Sequence, residues 1–160
     1  MESTPLSLPE TVEAVVQQHR GRIGPLMLVL HGLQERLGHI PSDAIPLVAR
    51  SLGLSRAEVH GVMHFYHDFR EKPAGRHVIQ LCRAEACQAV GANALESHVS
   101  KKLGIACGET REDGQYTLEP VYCLGNCACG PSIRVGDSVH ARVTPEKFDR
   151  LCAGLEEGVS

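Results

Sequence analysis

Seven cysteines stand in this 160-residue chain. Four of them fall into two spaced pairs, Cys82-x4-Cys87 and Cys123-x3-Cys127. Each pair follows a short apolar run that reads as a strand: His77 to Leu81 before the first, Tyr116 to Tyr122 before the second. Two neighbouring strand ends would bring the pairs together. Four thiolates in one pocket repel one another unless a cation or cluster neutralises them, so the spacing predicts a metal centre. Structural zinc sites favour short C-x2-C knuckles. Both spacings here are wider and suit a [2Fe–2S] centre, in which each of two irons takes two thiolates. A zinc site and a disulfide stay open as readings of spacing alone.

The loop Leu124-Gly125-Asn126-Cys127-Ala128-Cys129-Gly130-Pro131 is expected to wrap the centre. Its glycines permit close backbone approach, and its N–H groups can point at sulfur. Cys129 lies two residues beyond Cys127 and is a competing ligand. Cys152 falls on the apolar face of a helix and reads as a buried structural thiol. Cys107 sits in a loop and receives no role.

The elements that must position these residues divide at Glu71-Lys72-Pro73-Ala74-Gly75, where Pro and Gly interrupt any period. Residues 1–72 read as a bundle of four short helices. Ser7-x-x-Glu10 and Ser55-x-x-Glu58 are capping boxes. Gly24-Pro25 opens a helix that Gly38 closes, and Ser42-Asp43 caps another that Gly53 closes. Inward faces are assigned to Val12, Val15, Val16 and His19; to Leu26, Val29, Leu30, Leu33 and Leu37; to Ile45, Val48, Ala49 and Leu52; and to Val59, Val62, Met63 and Tyr66. Residues 76–160 read as strand, helix (Gln88 to Leu103), strand, a hairpin turning at Gly136-Asp137, and a last helix after Thr144-Pro145. The fold class is therefore α+β, a helical bundle followed by a thioredoxin-like α/β domain.

Composition narrows the function. Apolar residues make up 42% of the chain, enough for a real core, and nothing in the net charge of −3 suggests nucleic-acid binding. No apolar run is long enough to span a membrane, and the N-terminus lacks a signal-peptide pattern, so a cytoplasmic location is expected. No G-x-G-x-x-G fingerprint opens a strand–helix unit, so NAD is expected to bind elsewhere. No C-x-x-C is present, which weighs against a thiol oxidoreductase. His60, His64 and His67 recur at helical spacing; such stripes more often face a partner or solvent than a metal. Arg83 and Glu85, between two candidate ligands, are assigned either cluster tuning and docking or ordinary surface roles.

The two cysteine pairs, with Cys123-Leu124-Gly125-x-Cys127 and the trailing Gly130-Pro131, resemble the thioredoxin-like [2Fe–2S] ferredoxin family. Leu37-Gly38-His39-Ile40-Pro41 and Val59-His60-Gly61-Val62-Met63-His64-Phe65-Tyr66 resemble segments of its helical half, so the resemblance runs from about Gly24 to Phe148. It departs at His64, where the family usually has Thr or Ser, and at Cys129. It implies one [2Fe–2S] cluster held by Cys82, Cys87, Cys123 and Cys127, favouring Cys127 over Cys129, and an electron-transfer subunit with no turnover of its own. His67-Asp68-Phe69-Arg70 and Cys82-Arg83-Ala84-Glu85-Ala86-Cys87-Gln88 most resemble the gamma subunit of soluble NAD-dependent formate dehydrogenase. That resemblance implies a flavin- and NAD-binding diaphorase partner and a molybdenum-containing catalytic subunit. The equivalent subunit of NADH dehydrogenase or of a NAD-linked hydrogenase is the alternative.

Overall fold

The computed structural model describes residues 6–157. The chain divides into two compact units, Met1–Pro73 and Ala74–Ser160. The first is helical: α1 (Leu8–Gln18), α2 (Pro25–Leu37), α3 (Ala44–Leu52) and α4 (Arg56–Phe65). The Ser55 box closes as its sequence requires. The Glu58 N–H donates to Ser55 Oγ at 3.2 Å, and the Ser55 N–H donates to Glu58 Oε2 at 2.8 Å. Two donors that the first helical turn cannot satisfy internally are thereby paired. Gly38 and Gly53 end their helices with positive φ, 77° and 68°, where a side chain would be strained.

The apolar stripes meet in a core that includes Val15, Val29, Leu30, Leu33, Val48 and Val59, all fully buried. Burial of such side chains is worth roughly 1.5–3 kcal/mol each. Phe69 closes this core beyond α4, its ring 4.9 Å from that of His31. Tyr66 differs from its inward assignment. The helix ends at Phe65, and Tyr66 is 45% exposed because its extended backbone leaves the α4 face. Leu26, Leu37, Leu52 and Val62 pack at the margin, half-buried.

In the second unit, β1 (His77–Cys82), β2 (Tyr116–Val121), β3 (Ile133–Val135) and β4 (Ser138–His140) form one sheet in the order β2-β1-β3-β4. β1 runs parallel to β2, with His77 opposite Tyr116 and Cys82 opposite Val121. β3 runs antiparallel to both β1 and β4. The helix expected from Gln88 to Leu103 is two: α5 (Glu85–Ala89) and α6 (Ala92–Leu103). Gly91, at φ 101°, breaks it. The apolar period continues across that break, which is why spacing alone misses it. The last helix, α7 (Pro145–Glu157), sets Phe148 and Cys152 into the core with Ile79, Leu81, Val99, Leu118 and Ile133.

Three polar side chains cross this sheet. Gln80 Nε2 donates to Glu119 Oε2 on β2 at 2.9 Å, and Arg134 Nε on β3 donates to Gln80 Oε1 at 2.7 Å. Gln80 is buried, so its amide needs both partners. Among the described residues no helix is long and apolar enough to cross a membrane.

Candidate metal centre

Parallel pairing of β1 and β2 makes both strands finish at the same end of the sheet. Cys82 is the last residue of β1, and Cys123 comes two residues after the end of β2. The Arg83 N–H donates to Val121 O at 2.7 Å, and the Cys82 N–H donates to Ser132 O at 3.1 Å. These bonds tie the start of the first loop to β2 and to the segment before β3. Cys87 follows on α5, whose short span turns it back toward Cys82. Cys82 and Cys87 are buried beside Ala92, with Ala84, Val121 and Leu124 against them.

The second pair is different. Cys123 and Cys127 are exposed, their sulfurs 3.6 Å apart. Gly125, at φ 73°, turns its N–H onto Cys123 Sγ at 3.3 Å. A single 3₁₀ turn, Cys127–Cys129, then carries the chain past the site. Asn126 Nδ2 donates to Ser132 Oγ at 3.1 Å, and the Arg142 N–H donates to Cys129 O at 2.8 Å, bracing this loop against its return. Gly130 lies so close to Cys87 that an added Cβ would stand 3.3 Å from Cys87 Sγ and 2.9 Å from Val90 Cγ2. The Gly130-Pro131 peptide is cis.

Electrostatics links the pairs. Burial pushes the Cys87 thiol up, and the adjacent Cys82 thiol pushes it further, with a smaller push from Cys127. The Gly125 N–H holds Cys123 below the usual thiol range. Cys127 is raised by Cys123 first and by Cys82 at longer reach. Four thiols thus sense one another in a site that resists gathering their negative charge unaided.

The sulfur arrangement bears on which metal fits. Four sulfurs tetrahedral about a single zinc at about 2.3 Å would all stand about 3.8 Å apart. Among the described residues, the three or more metal-ligating atoms found mutually within 4.8 Å are those of His60, His64 and Glu71, and no cysteine trio meets that limit. The sulfurs instead stand as two pairs. Soft thiolates arranged in two pairs match a two-iron centre that takes two thiolates per iron. All seven cysteines are free of disulfides.

The remaining sequence candidates fall outside this pocket or only flank it. Cys152 is buried in the core among apolar side chains, and burial pushes its thiol up to about 11. Cys107 packs half-buried against that same core. Cys129 lends its backbone to the loop's bracing, its carbonyl accepting from Arg142 and from Ser132 Oγ at 3.5 Å. Arg83 is engaged with Glu96 at 3.0 Å. The bracing by Asn126 and Ser132 was not legible in sequence, because neither belongs to a spacing motif.

A family model described as thioredoxin-like [2Fe–2S] ferredoxin matches residues 12–156. The chain is 37% identical over 119 residues to a NADH-quinone oxidoreductase subunit from Pseudomonas aeruginosa, covering 74% of this chain and 72% of that one. It is 36% identical over 146 residues to the corresponding protein from Rhizobium meliloti, covering 91% and 87%. Among solved structures, an NAD+-reducing [NiFe]-hydrogenase in the air-oxidised state superposes with a TM-score of 0.69 at 19% identity. That likeness shows the fold; it covers 85% of this chain and 23% of the hydrogenase chain. The family match, running through both units, makes the chain a member of the thioredoxin-like [2Fe–2S] ferredoxin family, which implies one [2Fe–2S] cluster.

Proposed function

We propose that this chain is the electron-transfer subunit of a multisubunit NAD-linked oxidoreductase, with Cys82, Cys87, Cys123 and Cys127 as the four cluster ligands. The observation that carries the reading is the pairing of sulfurs at the end of the sheet where β1 and β2 finish together. Cys127 is preferred to Cys129 because its sulfur pairs with Cys123 at 3.6 Å, while Cys129 serves through its backbone. The bound cluster would supply one-electron exchange. The chain supplies position, insulation and charge. Ala84, Ala92, Val121 and Leu124 keep water from the Cys82–Cys87 side. The Gly125 N–H favours negative charge on Cys123. The exposed pair faces outward, where a partner's flavin can approach.

The candidate parent complexes are a NADH dehydrogenase, a NAD-linked hydrogenase and a NAD-dependent formate dehydrogenase. The curated relatives are subunits of NADH-quinone oxidoreductase, which favours a role beside a flavin- and NAD-binding subunit of that kind. The segments His67-Asp68-Phe69-Arg70 and Cys82 to Gln88 favour a formate dehydrogenase with a molybdenum-containing catalytic subunit. Purification of the intact complex followed by cofactor analysis separates them. Molybdenum with formate-dependent NAD reduction supports the formate dehydrogenase; quinone-coupled NADH oxidation supports the NADH dehydrogenase. The electron-transfer reading itself fails if the chain, produced with ample iron, is colourless, carries one zinc and gives no EPR signal after dithionite reduction.

A further inference from the structure

His60 and His64, one turn apart on α4, are exposed on the flank of the helix next to the buried Val59 and Met63. His60 Nε2 lies 3.0 Å from His64 Nε2, and His64 Nε2 lies 3.2 Å from Glu71 Oε1. All three atoms lie within 4.8 Å of one another. His67, the third member of the sequence stripe, is not in this group. Glu71 comes from the segment after α4, and that segment is held. The Arg70 N–H donates to Gln34 Oε1 at 2.7 Å, Arg70 O accepts from the Ile40 N–H at 2.7 Å, and Gln34 Nε2 donates to Asp68 O at 2.7 Å.

Proton counting shows what this trio lacks. A carboxylate oxygen only accepts, so the 3.2 Å contact puts the proton on His64 Nε2. His60 Nε2, 3.0 Å from the same nitrogen, must then be an acceptor as well. Two lone pairs compete for one N–H, and the arrangement leaves one of them poorly served. A divalent cation in place of that proton would satisfy three lone pairs at once. Ligands at about 2.0–2.1 Å from a tetrahedral ion stand about 3.3–3.4 Å apart, within a few tenths of an ångström of the two distances found. Two histidines at i and i+4 on a helix form a bidentate face for such an ion. The donor set of two neutral imidazoles and one carboxylate carries one negative charge and suits a borderline divalent ion of the zinc type.

We propose that His60, His64 and Glu71 form a second metal site, separate from the cysteine centre, that binds one zinc-type divalent ion with its remaining coordination open to solvent. The ion would fasten α4 to the first residue of the linker. The site does not depend on which complex the chain serves.

Zinc uptake by the full iron-loaded chain tests it, using equilibrium dialysis against Zn2+ with metal analysis of iron and zinc. The expected result is one zinc per chain in addition to the cluster iron. His60→Gln and His64→Gln should each weaken uptake by at least about tenfold, and Glu71→Gln by less, with iron content unchanged. The zinc edge spectrum should show nitrogen and oxygen neighbours. No zinc uptake, uptake equal in wild type and both histidine variants, or sulfur neighbours to zinc would overturn the proposal.

Discussion

Cys82–Cys87 and Cys123–Cys127 are two halves of one candidate centre built on opposite terms. The first pair is 2% and 1% exposed and is walled by alanine, valine and leucine. The second is open to solvent, with a backbone N–H directed at one of its sulfurs. Burial disfavours a thiolate, whereas the N–H favours one. Without metal, Cys87 therefore holds its proton, whereas Cys123 gives its own up more readily. The inner half offers rigidity and exclusion of water; the outer half offers access and a place for charge. An electron carrier needs both, and here they come from different stretches of chain.

The largest effect expected from this asymmetry is on metal retention. Cys82→Ser or Cys87→Ser should abolish iron binding, because a buried hydroxyl is a poor anion and the sealed pocket cannot admit water as a substitute ligand. Cys123→Ser or Cys127→Ser should leave a partly loaded chain with an altered EPR signal, since solvent can help complete the site. Iron analysis and EPR of the four variants check this; equal loss in all four would erase the distinction.

Next in size is thiol reactivity in the iron-free chain. Cys123 is exposed and held below the usual thiol range by Gly125, while burial and Cys82 hold Cys87 above it. Alkylation followed by peptide mapping should show Cys123 modified first, at least about tenfold faster than Cys87 near neutral pH, since the thiolate is the nucleophile. Raising the pH should narrow the gap.

Gly130→Ala probes the wall of the inner pair. The added methyl meets Val90 and Cys87 Sγ at 2.9 and 3.3 Å. A loss of about 1–3 kcal/mol in stability is expected from such overpacking, measured by denaturant titration, together with reduced iron content. A neutral result would mean that the inner wall yields more easily than its burial suggests.

Cys152 gives the reference for burial with no sulfur partner. Its thiol is pushed up to about 11 from an ordinary 9.0. The folded state then keeps a proton that the unfolded chain has lost between those two values. Stability linked to this group is intact below about pH 9 and falls as pH rises toward 11, by at most about 3 kcal/mol in total. Cys152→Ala should flatten that slope in denaturation midpoints measured across the range.

Much of this molecule was legible in its sequence, for identifiable reasons. Helix starts were marked by Ser7 and Ser55 with their glutamates, and helix ends by Gly38 and Gly53, because capping chemistry is local. The α+β order followed from a change of period after Pro73. The cysteine pairs could be placed at or after the ends of β1 and β2 because strand ends are predictable from the apolar runs before them. Tertiary effects were harder to read. The break at Gly91 hides inside a continuous apolar period. Tyr66 keeps the helical spacing, although the helix stops one residue earlier. Glu71 sits in a segment without periodicity, so nothing in the spacing joined it to His60 and His64; the Gln34 bonds that place it span 34 and 36 residues of sequence.

The polar strap from Glu119 through Gln80 to Arg134 has a consequence at the end of the sheet where the cysteines lie. It works as a ruler. Keeping each strand's faces in place restricts any slip of β2 along β1 to two residues, roughly 6.6 Å of travel. Such a slip would carry Cys123 the same distance from Cys82 and tear the strap apart on the way. Three side chains outside the two cysteine pairs therefore calibrate the separation of those pairs.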